Sequence, residues 1–394
     1  MFTIQKLNNI SSKGLSRFST DKYEVASEIA NPDAIMVRSF KMNDMELPSK
    51  LKAIARAGAG VNNIPVERCT ERGIVVFNTP GANANAVKEL AIAALLISSR
   101  KITQGIKWVN DQKGKQDEVP SIVEKGKSAF EGPEIQGKKL GIIGLGAIGV
   151  MVANAASGLG MEVMGYDPFI SINSAWGLSR SVEKADTLDQ ILTSCDYITI
   201  HIPLDDKTKG LINKNRIDSM KTGARIINLS RGGLVINADI IDAVKSGKIS
   251  CYVTDFPEDD LLGVDGIICV PHLGASTPES EDNCAVMAAG QLIDFLEYGN
   301  IKNSVNFPEC ILKQTGDCRI IVANRNVPNM VGQVTSILAS KKLNIADMLH
   351  RFKGDIGYII IDVDGNIEEE TTESIRAVQG VLMVRVIPNG SAEK

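Results

Sequence analysis

The chain has 394 residues, 44% of them hydrophobic, and a formal net charge of −4. That is globular composition, long enough for two or three domains, and its acidic balance excludes a broad basic face for nucleic acid. No apolar run approaches the roughly 20 residues that cross a bilayer, and the seven scattered cysteines show neither C-x-x-C nor metal spacing; reduced thiols, no metal site, no membrane partner and a cytoplasmic location are expected.

The opening "MFTIQKLNNISSKGLSRFST" lacks acids, as transit segments do, but "FTIQKL", "SSKGLSRF" and "YEVAS" read as a first β-α-β unit. "AIMVRS", "LKAIARAG" and "GIVVFNTP" follow as strands, and "VKELAIAALLISSRKITQGIKWVND" reads as one long apolar helix. A second strand series begins at 139: "KLGIIGLG", "MEVMGYD", "YITIHIPL", "ARIINLSRG", "CYVTDF" and "IICVPH". These runs are nearly continuous in Val and Ile, as when helices cover both faces of a parallel sheet. "TPESEDNCAVMAAGQLIDFLEYGN" is a long helix with a Gly-Asn stop. Residues 317–394 then read β-α-β-β-α-β, a ferredoxin-like unit. The expected fold is α/β, with two doubly wound parallel sheets and this third, smaller domain.

The most specific motif is "GLGAIG", where Gly144, Gly146 and Gly149 follow a strand and open a helix, with Ala147 and Ile148 between. The first glycine permits the turn, the second lets backbone approach a pyrophosphate, and the third lets helix and strand pack closely. Asp167 ends the next strand, where a carboxylate binds ribose hydroxyls and repels a 2′-phosphate, so NAD is the expected cofactor. Further on, "INLSRGG" places Arg231, "VTDFPEDD" places Asp255, Glu258, Asp259 and Asp260, and "CVPHLGAS" places His272, each after a strand. Alone, each would read as a surface charge or a solvated loop. Beside a nicotinamide they suit hydride transfer: Arg grips a carboxylate, His moves the hydroxyl proton, and an acid orients the imidazole. His201 and His350 read as structural.

"NTPGANANAVKELA", "GIIGLGAIG", "HIPLDDKTKGLI", "NLSRGGLV" and "PHLGAST" together resemble the D-isomer-specific 2-hydroxyacid dehydrogenase family over residues 1–308. The resemblance implies a substrate domain of 1–98 plus 274–308 around a nucleotide domain of 99–273, with the 317–394 unit resembling an ACT domain. It places catalysis on Arg231 and His272. The family's D-V-F-x-x-E is one residue shorter here, so that Asp259 falls in the acid slot with Glu258 as rival. Asp255, Leu229 and Ser230 join the cofactor set. Family members with an ACT domain oxidise 3-phospho-D-glycerate to 3-phosphohydroxypyruvate, the first step of the phosphorylated route to L-serine. In that setting Arg38 and Arg56, with Gly58 and Gly60, become substrate residues, and the positions that bind serine fall on Asn324, Asn326 and Asn344. A homodimer or homotetramer is implied. A reductase of glyoxylate, hydroxypyruvate or another 2-oxo acid is the alternative, and an NAD-sensing corepressor a more distant one.

Overall fold

A computed structural model describes residues 1–389. The chain divides into two compact units, residues 1–82 with 281–394 and residues 83–280. Residues 390–394 of the expected ACT span lie outside the described residues.

The first unit opens with five parallel strands, β1 (Phe2–Leu7), β2 (Tyr23–Ala26), β3 (Ala34–Val37), β4 (Ala53–Arg56) and β5 (Val75–Phe77), in the order β2-β1-β3-β4-β5. The acid-free opening segment therefore forms sheet, as the β-α-β reading required. Strict alternation sorts the side chains. Ile35, Val37, Ile54 and Val76 pack beneath the helix Val66–Glu71, while Met36, Ala55, Val75 and Phe77 face the other way.

That second face is covered by the helix Pro278–Tyr298, through Leu292, Phe295 and Leu296. The same core takes in Ile321, Ala323, Tyr358 and Ile360 of the C-terminal sheet. This sheet is antiparallel, ordered β14-β15-β13-β16 from β13 (Cys318–Arg325), β14 (Asn344–Lys353), β15 (Ile356–Asp364) and β16 (Val381–Pro388). Its other face carries the helices Met330–Ser340 and Glu369–Arg376 over Ile320, Val322, Ile359 and Ile361. The β-α-β-β-α-β order is as read from the sequence. The central strands β13 and β15 are buried on both faces, so the C-terminal sheet shares a core with the five-stranded sheet.

Polar contacts fasten this junction. Arg319 and Asp362 are each fully buried and paired, with Nε and Nη2 of Arg319 on the two carboxylate oxygens at 2.7 and 2.8 Å. The last carbonyls of the helix Pro278–Tyr298 have no intrahelical donors. Arg385 Nη2 donates to Leu296 O at 2.9 Å and Arg319 Nη1 to Tyr298 O at 2.8 Å. Tyr358 Oη donates to Gly299 O at 2.8 Å. Two cations thus sit at the negative end of the helix dipole.

The second unit holds seven parallel strands: β6 (Lys139–Ile143), β7 (Glu162–Tyr166), β8 (Glu183–Lys184), β9 (Tyr197–Ile200), β10 (Ala224–Asn228), β11 (Ile249–Thr254) and β12 (Ile267–Cys269). The order β12-β11-β10-β9-β6-β7-β8 reverses between β6 and β9, a topological switch point where ligands bind at the carboxyl ends of strands. The expected single helix over 87–111 is two, Ala84–Ser99 and Ile102–Asn110, because Arg100 is extended at φ −120°, ψ 136°. Ala91, Ala94 and Leu95 of the first join the core of this unit, which spans residues 83–280. Among the described residues no helix is long and apolar enough to cross a membrane.

Candidate active site

The glycine loop after β6 has the three features its spacing requires. Gly144 has φ +94°, and a Cβ there would lie 2.5 Å from His201 O. A Cβ on Gly149 would lie 2.0 Å from Gly144 O, so only glycine allows the helix Ala147–Gly158 to meet its strand. Gly146 faces open space and caps the helix with no side chain, which leaves the first helical N–H groups for a ligand. At the end of β7, Asp167 accepts from Leu145 N and Phe169 N, both at 2.8 Å. Its carboxylate braces the loop and keeps lone pairs free for hydroxyls. These residues fit a dinucleotide.

The turn after β10 is organised from within. Buried Asn228 donates to Arg231 O at 2.9 Å and accepts from Ser230 N at 3.2 Å. Ser230 Oγ donates to Ile200 O at 2.7 Å, and Leu229 is buried. This presents an exposed Arg231, whose Nη1 folds back on Ser230 O at 2.6 Å. At the end of β11, Asp255 is 1% exposed and its Oδ1 has no partner among the described residues. Burial holds its carboxyl above the usual carboxylate range, while the charges of His272 and Arg231 pull it back. The exposed His272 packs edge-on against Phe256, ring centres 4.7 Å apart.

Asp255 is thus within electrostatic reach of both His272 and Arg231. No hydrogen bond joins Glu258 or Asp259 to His272 among the described residues, and Asp259 begins a short, exposed 3-10 turn. Neighbouring Asp260 accepts from Asn237 at 3.0 Å. Sequence reading missed Phe256, which is adjacent to Asp255 in "TDFP" and shapes the seat of His272. It also passed over the surroundings of His201, which end β9 beside Gly144. Its Nε2 meets Thr199 Oγ1 at 3.0 Å, its Nδ1 has no partner, and burial lowers its pKa to about 4.

In the other unit, Arg56 ends β4 with Nε on Arg38 O at 3.0 Å and Nη1 on Gly60 O. Gly58 O accepts from Thr79 N at 3.1 Å, and Ala59 O from Asn78 Nδ2 at 2.6 Å. The carbonyls of the 58–60 loop are therefore all engaged, whereas Ala59 N and Gly60 N have no acceptor among the described residues. A loop with its carbonyls tied back and its N–H groups free suits a carboxylate. Arg38 lies beside it, its Nη2 on Glu281 Oε1 at 2.6 Å.

Of the three C-terminal asparagines, only Asn324 is buried, with Oδ1 unpartnered. It stands with His350, whose Nε2 is also unpartnered, over Gly357, where a Cβ would lie 2.7 Å from Asn324 Nδ2 and 3.0 Å from His350 Nε2. Exposed Asn326 has no side-chain hydrogen bond among the described residues, and Asn344 is taken up by Asp364 at 2.7 Å.

Residues 92–274 match the family described as D-isomer specific 2-hydroxyacid dehydrogenase, NAD binding domain. The chain is 32% identical to the D-3-phosphoglycerate dehydrogenase of Archaeoglobus fulgidus over 377 residues, covering 93% of this chain and 66% of that one. It is 32% identical to the D-3-phosphoglycerate dehydrogenase of Haemophilus influenzae over 358 residues, covering 87% and 83%. The chain thus spans just under two thirds of the archaeal relative and most of the bacterial one. Among solved structures, the NAD+-bound 3-phosphoglycerate dehydrogenase of Entamoeba histolytica superposes with a TM-score of 0.60 at 26% identity, covering 77% of this chain and 98% of that one. The chain belongs to the D-isomer specific 2-hydroxyacid dehydrogenases, among relatives named D-3-phosphoglycerate dehydrogenase.

Proposed function

We propose that the chain oxidises 3-phospho-D-glycerate to 3-phosphohydroxypyruvate with NAD, the first step of the phosphorylated route to L-serine. The observation that carries this is the grouping of Arg231, buried Asp255 and His272 at adjacent strand ends of a dinucleotide-binding sheet. His272 takes the proton of the C2 hydroxyl, and Arg231 offers its fork to the substrate carboxylate and developing carbonyl. NAD held by the glycine loop and Asp167 would supply the hydride acceptor. The negative charge of Asp255 stabilises the imidazolium as it forms, and Asp259 stays in the proposal as the acid that would reach the far ring nitrogen. Arg38 and Arg56, with Gly58 and Gly60, belong to the same proposal as substrate residues, the two cations for the phosphate. NADH formation from 3-phospho-D-glycerate at alkaline pH is the test. His272→Asn should lower kcat by about 10²- to 10⁴-fold. Reduction of glyoxylate or hydroxypyruvate, without turnover of the phosphorylated acid, would select the 2-oxo acid reductase instead.

The unpartnered Asn324 Oδ1 and His350 Nε2 support a small amino acid, L-serine, as effector at the β13–β14–β15 end of the C-terminal sheet. Inhibition by serine that is lost in Asn324→Ala would support this; full activity in saturating serine would remove it. Assembly as a homodimer or homotetramer belongs to the same reading, and sedimentation velocity decides it.

A further inference from the structure

We propose that Glu281 sets the selectivity of the substrate cations, as a carboxylate of the protein that holds Arg38 and opposes a substrate phosphate there. This rests on the reading of Arg38 and Arg56 as phosphate ligands. The pair is close, Arg38 Nη2 to Glu281 Oε1 at 2.6 Å, and open to solvent, the two side chains 39% and 42% exposed. Only one edge of the guanidinium is used: the other donors of Arg38 make no hydrogen bond among the described residues. Arg56 is held differently, by backbone on two of its nitrogens. Burial lowers its pKa and the like charge of Arg38 lowers it further, so the two cations feel one another. One residue cluster therefore holds two guanidiniums and one carboxylate, a surplus of one positive charge.

A phosphate monoester brings about two negative charges at neutral pH. With Glu281 ionised, the cluster and its ligand are net negative. With a neutral amide in its place they balance. Glu281 therefore weakens the hold on a phosphorylated acid relative to an unphosphorylated one, and neutralises Arg38 when no ligand is present. Removing one like charge a few ångströms from a dianion, at a half-exposed site, is worth about threefold to tenfold in binding.

The test compares kcat/KM for 3-phospho-D-glycerate and for D-glycerate in the full-length enzyme. Glu281→Gln should raise the ratio of the two by about threefold to tenfold, less at high salt, whereas Glu281→Asp, which keeps the charge, should stay near the parent. A ratio that falls or does not move in Glu281→Gln overturns the proposal and makes the carboxylate a mere support for Arg38. Inorganic phosphate serves as a second probe, independent of turnover. It should raise Tm more in Glu281→Gln than in the parent, and not at all in Arg38→Gln. If that ordering holds in an enzyme indifferent to 3-phospho-D-glycerate, the substrate reading fails and the role of Glu281 stands. If phosphate protects parent and Glu281→Gln equally, the role of Glu281 fails alone.

Discussion

The strand ends of the nucleotide-binding sheet and the inner face of the C-terminal sheet both bury charge, and they use it in opposite ways. At the first, polar groups are left over: among the described residues Asp255 Oδ1 and His201 Nδ1 have no partner, and the helix after Gly146 has no side-chain cap. At the second, charge is consumed internally. Arg319 pairs with Asp362 and reaches Tyr298 O, Arg385 closes on Leu296 O, and Tyr358 on Gly299 O. A buried polar atom without a partner costs free energy unless something arrives to meet it, whereas a satisfied one builds architecture. Unpartnered atoms therefore mark where a ligand belongs, and the Arg319–Asp362 face marks where two sheets and a helix are joined.

The largest expected effect breaks the satisfied side. Arg319→Met leaves Asp362 buried without a counter-charge and should lower unfolding free energy by about 3–5 kcal/mol, read from urea midpoints. Adding Asp362→Leu should recover most of that loss, because the cost lies in the stranded carboxylate and not in the missing attraction. An Arg319→Met protein as stable as the parent would mean that water reaches the junction.

The unsatisfied side predicts a pH dependence. His201 has its folded pKa lowered to about 4 from an ordinary 6.5. Between those values the unfolded chain binds a proton that the folded chain refuses, so stability is complete above pH 6.5 and falls as pH drops toward 4. This one group accounts for up to about 3 kcal/mol, with no further loss below pH 4. His201→Gln should flatten the Tm profile in that window. A profile unchanged by the substitution would show that the imidazole charges freely and that the loop is wetter than its burial implies.

Next in size is the choice of carboxylate. Asp255→Asn should lower kcat by about a hundredfold, since it removes the buried charge that His272 and Arg231 feel, and should move the acidic limb of the pH–rate profile. Asp259→Asn should cost less, because Asp259 stands on an exposed turn with no hydrogen bond to His272 among the described residues. The reverse order would show that this turn closes on the imidazole during catalysis, and would favour the sequence alignment over the geometry.

What could be read in advance follows from how locally each feature is encoded. The glycine loop is legible because Gly144 and Gly149 are demanded by backbone geometry that other residues do not tolerate, so residue identity and structure correspond one to one. The strands of both parallel sheets are legible from apolar runs, except two-residue β8, too short and polar to leave a pattern. The break at Arg100 falls in the short polar run Ser98–Lys101, with no Gly or Pro to mark it. Glu281 reads as an ordinary acid in a first helical turn, and its partner is 243 residues away. Likewise the alternation in β13 and β15 says that both faces are apolar, but not that the second one covers the helix Pro278–Tyr298. Distant pairing is where reading from one sequence stops.

The smallest effect sharpens the comparison most, because it separates one hydrogen bond from the rest of the junction. Tyr358 is fully buried, its ring lies edge-on to Phe307 with centres 6.1 Å apart, and burial pushes its phenol far above the ordinary range. Among the described residues its hydroxyl makes one hydrogen bond, to Gly299 O just past the end of the helix. Tyr358→Phe keeps the ring and strands one carbonyl, and should cost about 1 kcal/mol in urea unfolding. The cations at Arg319 and Arg385 still cap that end, so the loss should not grow with pH up to 9, where the phenol stays neutral. A loss well above that value would mean that the hydroxyl, and not the two arginines, is what holds the C-terminal sheet to the helix.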